Sequence, residues 1–340
     1  MQVIAAMSGG VDSSVAAALA AQDGHEVVGV TMKLWGGPSD TGCCSVADVT
    51  DARRVADAIG IEHHVFNFGE DFSAKVVRPY LADHAAGRTP NPCVECNRHI
   101  KFDRLLRRAV ALGFDAVATG HHARVVQRPD GARRLARGAD AAKDQSYVLY
   151  MLDQEALAKV LLPVGEMTKE RVRALAAELG LRTAAKADST DVCFIRRGER
   201  GSFLAEHLDL TPATVVDTSG RRLGEVPAVQ TVTLGQRKGL GVGGQERPVY
   251  VVDADAEAGV VTVGDRADLL VESQAVRDVT WAEAAVQGPV LAQTSAHGPP
   301  RPATLEGGTI RWRSPNRRVA PGQSVVFYEG PEVLGGGIAA

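Results

Sequence analysis

"AMSGGVDSSVAA" (Ala6–Ala17) overlaps the end of an apolar stretch, "QVIAAM" (Gln2–Met7), almost at the start of the chain. A short, unbroken apolar run of this kind is typical of a buried parallel strand. The residues that close the segment, Val15–Gln22, are mostly strong helix formers, and Gly24 ends them. The sequence therefore predicts a strand, a tight loop and a helix.

The composition of this loop favours a site for a phosphate group. Gly9 and Gly10 allow the backbone to approach a ligand, and the helix N-terminus offers unpaired N–H groups. Ser8 and Ser13 add hydroxyl donors, whereas Asp12 suits such a site only if it orients the loop or helps to hold a metal ion. A capped helix after a tight turn is the simpler alternative. No lysine follows in the pattern G-x-x-x-x-G-K-[ST], so the loop differs from an ordinary P-loop.

The length of 340 residues exceeds one compact core, so two or three domains are expected. Alternating strand-like and helix-like segments up to about residue 125 predict a doubly wound parallel sheet, an α/β fold. A helical region is predicted over Ser146–Leu181. From about Pro212, short β-rich runs separated by turns predict small β domains. The predicted domains are 1–200, 201–270 and 271–340.

The chain shows no apolar run long enough to span a bilayer and no signal-peptide pattern at its N-terminus, so a cytoplasmic protein is expected. Five cysteines in that compartment are typical of catalytic, metal-binding or inert thiols rather than of a disulfide framework. Cys43 and Cys44 are adjacent, which is the wrong spacing for half of a zinc site, and they are interpreted as small buried hydrophobes.

The net charge of −3 is unevenly distributed. Between Arg98 and Arg137 there are ten Arg or Lys and three Asp, a local charge of +7. Between Arg301 and Arg318 there are five Arg and one Glu, a local charge of +4. Two basic segments on an otherwise acidic chain indicate a polyanion-binding face, although two solvated surfaces would give the same counts.

Three further cysteines stand beside basic residues. Cys93 and Cys96 form a C-x-x-C after the Pro-rich loop "GRTPNP", and Arg98 and Lys101 follow on a predicted helix. Cys193 precedes three arginines. A helix N-terminus and nearby cations lower a thiol pKa from about 8.5, so both Cys96 and Cys193 are candidate thiolates. Two such thiols with a nucleotide loop suggest sulfur chemistry driven by adenylation; a thioredoxin-like motif is the alternative.

Seven stretches together carry a family resemblance. "MSGGVDSS" resembles the PP-loop of the N-type ATP pyrophosphatases, which cleave ATP to AMP and pyrophosphate. With "GRTPNPCVECNRHIKF", "ATGHHAR", "KDQSYVLY", "DSTDVCFI", "GQRKGLG" and "PGQSVVFYEG", the chain resembles the bacterial tRNA-specific 2-thiouridylases over nearly its whole length. The resemblance implies a PP-loop domain, a small central domain and a C-terminal β-barrel. It also implies sulfur replacement of the 2-oxygen of a wobble uridine in tRNA.

The same resemblance assigns roles to particular residues. It implies that ATP is bound by Ala6, Met7, Ser8, Gly9, Gly10, Val11, Asp12, Ser13, Met32 and Gly120. It implies that the target base is bordered by Asn91, Pro92 and Cys93, and that tRNA is contacted by His121, Lys143, Asp144, Gln145, Arg311, Trp312 and Gln323. Cys96 is then the nucleophile, and Cys193 carries the incoming sulfur as a persulfide.

Two residues depart from the family pattern. Cys93 stands where some members have an aspartate, which puts an acid/base role in doubt, and Trp312 stands where tyrosine is common. ATP with Mg²⁺ is expected, as is a persulfide-donating relay protein or a cysteine desulfurase. A [4Fe–4S] cluster on Cys93, Cys96 and Cys193 is an alternative to the persulfide. The rival functions are a PP-loop amidotransferase-type ligase and a non-catalytic RNA-binding protein.

Overall fold

The N-terminal region is a parallel sheet with helices packed on it. The computed structural model describes residues 1–35, 45–188, 192–196, 198–244 and 247–340, so Cys43 and Cys44 lie outside the described residues. In chain order the first elements are β1 (Gln2–Ala6), α1 (Val11–Gln22), β2 (Glu26–Lys33), α2 (Val46–Ile59), β3 (Glu62–Asn67), α3 (Gly69–Phe72), α4 (Arg78–Ala85), α5 (Pro92–Cys96), α6 (Leu106–Ala111), β4 (Ala116–Ala118), β5 (Ala123–Gln127), β6 (Arg133–Arg137), α7 (Gln154–Ala158), β7 (Val160–Leu161), α8 (Lys169–Glu178) and α9 (Arg200–His207). Wider π-helical turns join α3 to α4 and α5 to α6, over Ser73–Val77 and Asn97–Leu105.

The sheet has the order β3-β2-β1-β4-β7, and every neighbouring pair is parallel. Successive residues of β1 point to opposite faces: Ile4 packs in one apolar cluster, and Val3 and Ala5 pack in another with α1. A central strand covered on both faces must be apolar throughout, as "QVIAA" is after its first residue. The predicted doubly wound parallel sheet is confirmed, and the loop after β1 lies at its carboxyl edge.

The central domain is a small sheet around its own core. Its strands are β8 (Ala213–Asp217), β9 (Arg222–Val226), β10 (Tyr250–Asp255) and β11 (Val260–Gly264), in the order β10-β11-β8-β9. Val215, Val251 and Val261 are fully buried between them. The strand predicted in "VQTVTL" is wrong, because Val229–Thr231 is a 3₁₀ turn and residues 232–234 belong to no strand.

The C-terminal region closes into a barrel. Its strands are β12 (Leu270–Trp281), β13 (Gly288–Gln293), β14 (Arg301–Glu306), β15 (Thr309–Arg317), β16 (Ser324–Glu329) and β17 (Glu332–Ala339). They follow the order β12-β15-β14-β13-β16-β17, and β12 also pairs with β17, which closes the sheet. Ile310, Val325 and Phe327 fill the interior. The predicted barrel is confirmed.

A hairpin from the N-terminal region joins this barrel. β5 and β6 pair with each other, and Ala136 of β6 pairs with Glu332 of β17. The sequence did not predict this hairpin. The helical prediction over Ser146–Leu181 is wrong in part: only α7 and α8 are α-helices there, and β7 joins the parallel sheet. Tyr147, whose hydroxyl donates to the Ser324 carbonyl at 2.7 Å, holds the start of this region against the barrel.

Candidate active site

The PP-loop, Ala6–Ser13, leads from the end of β1 into α1. Gly9 has φ +72°, and a Cβ there would lie 2.4 Å from the Asp48 carbonyl oxygen. Gly10 is the N-cap of α1, has an extended backbone and provides no side-chain cap. A Cβ at Gly10 would meet only Ser8 Oγ, at 3.5 Å. Gly9 thus lets the loop pack on α2, and Gly10 leaves open space before the helix N-terminus, where a phosphate group fits.

The serine hydroxyls of this loop bind the loop itself. Ser13 Oγ accepts a hydrogen bond from the Ser8 amide at 3.1 Å and donates to the Gly10 carbonyl at 3.1 Å. Ser14 Oγ donates to the same carbonyl at 2.8 Å. Because these hydroxyls fix the loop, the main-chain N–H groups are what the loop offers to an anion.

Asp12 is held by a lysine and a histidine from distant parts of the chain. Lys169 Nζ lies 2.8 and 2.7 Å from its two carboxylate oxygens, and His122 Nε2 lies 3.1 Å from Oδ1. Burial raises the pKa of Asp12, but the hydrogen bonds from His122 and Lys169 and the Lys169 charge outweigh it and lower the pKa below its usual value. Asp12 is therefore an ionised partner of Lys169 beside the loop.

A second carboxylate, Asp188, extends this group of charges. Its oxygens lie 2.9 Å from Lys169 Nζ, 2.8 Å from Lys143 Nζ and 2.7 Å from Arg173 Nη2. Burial opposes ionisation of Asp188, yet the hydrogen bonds from Lys143 and Lys169 hold its pKa far below the usual range. Three cations therefore contact Asp188 on this side of the site, and one of them, Lys169, also binds Asp12 of the loop.

Lys186 reaches the loop from the segment that leads to Cys193. Its Nζ donates to the Gly9 carbonyl at 2.9 Å, to Asp48 at 2.7 Å and to Asp51 at 2.8 Å. The lysine missing from the Walker pattern thus has counterparts that are distant in sequence. We call Lys143, Lys169 and Lys186, with Asp12, Asp48, Asp51 and Asp188, the lysine cluster. Sequence reasoning missed Lys169 and Lys186, although Lys186 lies two residues before the quoted "DSTDVCFI".

The other residues predicted to bind ATP are mostly structural in their packing. Met7, Val11 and Met32 are buried in the apolar clusters of the sheet. A Cβ at Gly120 would lie 2.5 Å from the carbonyl carbon of Asp12, so Gly120 allows the segment after β4 to pack against the PP-loop. Their contacts with ATP stay predictions.

The candidate cysteines approach one apolar cluster. Cys93 and Cys96 lie on α5, and the Asn91 side chain caps this helix by accepting from the amides of Cys93 and Val94, at 3.1 and 3.4 Å. Cys96 is buried in the cluster that contains Phe194, and Cys193, which is half-buried, packs against the same cluster. The fold therefore brings Cys96 and Cys193, 97 positions apart in the sequence, into one neighbourhood.

The cations that follow Cys96 in sequence point to other partners. Arg98 donates to Tyr150 Oη at 3.2 Å and to Thr280 Oγ1 at 3.3 Å. Lys101 Nζ lies 3.3 Å from His121 Nε2. Stabilisation of a Cys96 thiolate by these cations therefore stays a prediction.

His121 and Gln145, both predicted to contact tRNA, make hydrogen bonds inside the protein. His121 is buried, its Nδ1 lies 2.8 Å from Thr119 Oγ1, and burial followed by the charge of Lys101 holds its pKa well below the usual value. Gln145 Oε1 accepts from the amide of His122 at 2.9 Å. Because His122 contacts Asp12, Gln145 acts on the site through that histidine.

Asp144 and Gln323 also make internal contacts. Asp144 is buried and accepts from Arg137 Nη1 at 2.8 Å, from the Gly138 amide at 3.0 Å and from Ser146 Oγ at 2.9 Å. Gln323 Nε2 donates to the Thr89 carbonyl at 2.6 Å, which ties the barrel to the loop before Asn91–Cys93.

The two barrel residues predicted to contact tRNA differ in exposure. Arg311 is exposed and its Nε lies 3.5 Å from Glu306. Trp312, its neighbour, is 7 % exposed and packs in the barrel core, and its Nε1 has no hydrogen-bond partner among the described residues. Arg311 is therefore accessible to a polyanion, whereas the Trp312 ring contributes to packing.

Three protein-family models match consecutive parts of the chain. A model described as "tRNA methyl transferase HUP domain" matches residues 1–197, a "tRNA methyl transferase PRC-barrel domain" matches 201–265, and an "Aminomethyltransferase beta-barrel domain" matches 274–339. Across the described part of the chain, no helix is long and apolar enough to cross a membrane.

Several named proteins are similar to this chain in sequence over nearly its full length. A protein of Kineococcus radiotolerans is 49% identical over 354 residues, covering 98% of this chain and 97% of its own. A protein of Carboxydothermus hydrogenoformans is 44% identical over 353 residues, covering 99% and 96%. Both are named tRNA-specific 2-thiouridylase MnmA. The methyl transferase wording of two family models differs from these names, but identity at this level over the whole length decides the family. The chain belongs to the tRNA-specific 2-thiouridylases, which are tRNA sulfurtransferases.

Proposed function

We propose that this protein replaces the 2-oxygen of a wobble uridine in tRNA by sulfur, using ATP to activate the oxygen. The observation that carries the proposal is the packing of Cys96 and Cys193 against one cluster, with the segment before Cys193 anchored to the PP-loop by Lys186. A nucleotide loop and two thiols in one protein support a reaction in which activation and sulfur transfer act on the same carbonyl group of the substrate, the first on its oxygen and the second on its carbon.

Activation is an adenylation. The uracil 2-oxygen attacks the α-phosphorus of ATP, the bond to the β-phosphate oxygen breaks, and pyrophosphate leaves. A carbonyl oxygen is a poor leaving group, and after this step it leaves as part of AMP. The main-chain amides before α1 and the open space at Gly10 fit the phosphates.

The lysine cluster can stabilise the negative charge that develops on pyrophosphate. Lys169 and Lys186 lie at the loop, and each is already oriented by two or more carboxylate contacts. Cations that are fixed before the reaction stabilise a developing charge without reorganisation, which makes this kind of stabilisation effective. We infer that both lysines act on the phosphates of ATP.

Mg²⁺ is expected with the nucleotide, but the protein side chains do not fit a preformed magnesium site. The described residues include no group of three His, Cys, Asp or Glu side chains that could hold a metal ion. Asp12, the carboxylate of the loop, is bound by Lys169 and His122. No step is therefore assigned to a metal.

Sulfur transfer follows on the activated carbon. The terminal sulfur of a Cys193 persulfide attacks C2 of the base, and AMP leaves with the former 2-oxygen. The transferred sulfur is now bonded both to C2 of the base and to Cys193 Sγ. The Cys96 thiolate then attacks Cys193 Sγ, the bond between Cys193 Sγ and the transferred sulfur breaks, and the 2-thiouridine is released. A Cys96–Cys193 disulfide remains, which an external thiol reduces.

The cluster alternative finds no support in the arrangement of the cysteines. A [4Fe–4S] cluster needs Cys93, Cys96 and Cys193 as three ligands of one group. No such group occurs among the described residues, which include all three cysteines. The persulfide, supplied by a relay protein or a cysteine desulfurase, is the route that we propose.

The target base must leave its stack to reach one buried and one half-buried thiol, so the uridine is flipped out. Asn91 caps the helix that holds Cys93 and Cys96, and Gln323 fixes the preceding loop from the barrel. We infer that these two residues position the base pocket.

Reconstitution with a wobble-uridine tRNA, ATP and a persulfide donor tests the proposal. We expect nucleoside mass analysis to find 2-thiouridine and tRNA to stimulate pyrophosphate release. Gly10→Val should abolish both, because its side chain fills the open space before α1. A wild-type protein that releases pyrophosphate but forms no thiouridine would contradict the proposal.

A further inference from the structure

One cation outside the lysine cluster links the PP-loop to the helix that carries Cys96. Lys101 belongs to the π-helical segment Asn97–Leu105, which continues directly from Cys96 at the end of α5. Hydrogen bonds in a π-helix run from residue i to residue i+5, so Lys101 lies about one turn after Cys96. None of the steps proposed above uses this lysine.

Lys101 is connected to the PP-loop through the segment after β4. Its Nζ lies 3.3 Å from His121 Nε2, and the ring centroids of Phe102 and His121 lie 5.7 Å apart. Gly120, which precedes His121, packs on the loop, where an added Cβ would lie 2.5 Å from the Ser13 amide nitrogen. Lys101 thus connects the helix of the candidate nucleophile to the nucleotide loop.

The histidine orients Lys101 without neutralising it. An ammonium group has only donors, so His121 Nε2 accepts from Lys101 Nζ and the ring proton is on Nδ1. Nδ1 donates this proton to Thr119 Oγ1, 2.8 Å away. His121 is buried, and burial followed by the charge of Lys101 holds its pKa well below the usual value, so the ring is neutral. The charge of Lys101 is therefore fixed in direction and fully retained.

This partner distinguishes Lys101 from the other lysines of the site. Lys143, Lys169 and Lys186 are bound by the carboxylates of the lysine cluster. Lys101 is half-buried, and in the part of the chain that the structure describes no carboxylate forms an ion pair with it. A partly desolvated cation with a neutral partner gains most from an anion that comes from outside the chain.

The proposed reaction forms such an anion on the carbonyl group where activation and sulfur transfer meet. After adenylation, the phosphate joins adenosine to the uracil 2-oxygen and carries about one negative charge. When the persulfide sulfur attacks C2, the bond between C2 and oxygen breaks and its electron pair stays on the oxygen. AMP therefore leaves with about two negative charges. A fixed cation beside this phosphate stabilises the charge as it develops.

We propose that Lys101 is a catalytic residue for the second half of the reaction, in which it binds the phosphate of the adenylated uridine and stabilises AMP as the leaving group. This rests on the proposed function, since the adenylated base is its intermediate. Lys169 and Lys186 act when pyrophosphate leaves, and Lys101 acts when AMP leaves.

A single turnover that separates the two halves of the reaction tests this role. The full chain is loaded with persulfide on Cys193 and mixed with ATP and a wobble-uridine tRNA. Lys101→Gln keeps a donor for His121 and removes the charge. We expect this variant to release pyrophosphate at nearly the wild-type rate, to form 2-thiouridine roughly a hundredfold more slowly and to accumulate adenylated tRNA. Lys101→Arg, which keeps the charge, should recover much of the rate of 2-thiouridine formation.

Lys75→Gln is the matched control, because Lys75 is exposed and also lies in a π-helical turn, Ser73–Val77. It should match the wild type in both rates. Both rates are expressed per molecule that binds ATP, so a partly unfolded variant is still compared correctly. If Lys101→Gln fails to fold, Lys101→Met, with an apolar side chain, takes its place. Accumulation of adenylated tRNA is the signature that a purely structural defect does not give.

Formation of 2-thiouridine at the wild-type rate by Lys101→Gln would overturn the role of Lys101 and leave the proposed function intact. An equal loss of pyrophosphate release and 2-thiouridine formation, with no adenylated tRNA, would also overturn it. A wild-type protein that forms no 2-thiouridine contradicts the proposed function and the role of Lys101 together.

Discussion

The basic segments 98–137 and 301–318 look alike in sequence but differ in the fold. In the first, seven of the ten Arg and Lys residues pair with carboxylates among the described residues, including Arg128 with Glu332, Arg134 with Glu283 and Arg137 with Asp144. In the second, Arg301, Arg313 and Arg317 have no carboxylate partner within the described ranges. The cations of the first segment mostly form ion pairs within the protein, and those of β6 help to attach this hairpin to the barrel.

The difference teaches that local charge in a sequence does not identify a polyanion site. What matters is whether the fold supplies the counter-charge. The lysine cluster is an intermediate case, since its cations are paired with carboxylates yet lie beside a loop with open space. Each of the following predictions separates these roles.

The largest effect is expected in the lysine cluster. Lys169→Met removes a fixed cation from the PP-loop and should reduce tRNA-dependent pyrophosphate release by roughly a hundredfold or more. Lys159→Met, which breaks only a helical pair with Glu155, is the control and should be near wild type. Because Asp12 loses one of its two partners, urea unfolding should accompany the assay, and Asp12→Asn combined with Lys169→Met should recover stability without activity. A single variant within a few-fold of wild-type rate would remove Lys169 from catalysis.

The next largest effect is expected in the basic segment 98–137, most of whose cations pair with carboxylates of the protein. Arg134 is 8% exposed and binds both oxygens of Glu283, which is 28% exposed. Arg134→Met should cost about 2–3 kcal/mol of unfolding free energy, less than a fully buried pair because Glu283 keeps some solvent. Urea unfolding measures the loss. The salt slope of tRNA binding should stay that of the wild type. A reduced slope would show that this segment contacts the RNA and contradict the prediction.

The basic segment 301–318 should respond in the opposite way, with a change in the salt dependence of tRNA binding and little change in stability. Arg311 is 68% exposed in its side chain and lies 3.5 Å from Glu306. Arg311→Gln should lower the salt slope of tRNA binding by about one, with a change in stability within about 0.5 kcal/mol. Filter binding over a series of salt concentrations measures the slope. An unchanged slope would show that Arg311 does not meet a phosphate.

The smallest effect is a pH dependence of the Arg134–Glu283 pair. The hydrogen bond and charge of Arg134 lower the pKa of Glu283 below its usual 4.5. A carboxylate with a depressed pKa in the folded state stabilises the fold above its unfolded pKa and loses this as the pH falls through the folded value. The stability difference between wild type and Arg134→Met should thus be constant from pH 8 to about 5 and shrink below about 4.5. A difference that shrinks between pH 8 and 6 would assign the effect to another group.

The local elements of the site could be predicted from the sequence, and its long-range contacts could not. The strand, loop and helix around Gly9 and Gly10 follow from residue order, because the glycines, the apolar strand and the helix formers are adjacent. Lys169 and Lys186 lie 157 and 177 positions from the loop residues that they contact, so no spacing pattern in the sequence indicates them. Trp312 and Asp144 were predicted to contact tRNA by position, but burial depends on tertiary packing that a motif does not encode.

The most direct test of the central claim is a single turnover from the persulfide. Wild-type protein is loaded with persulfide on Cys193, freed of donor, and mixed with ATP and a wobble-uridine tRNA. We predict equal amounts of 2-thiouridine, AMP and pyrophosphate, and a Cys96–Cys193 disulfide in the peptide map. Cys96→Ser and Cys193→Ser should each form no free 2-thiouridine while still binding ATP and tRNA, and Cys93→Ser, the matched control, should retain activity. An iron-dependent activity, or an inactive Cys93→Ser that folds and binds normally, would contradict the account.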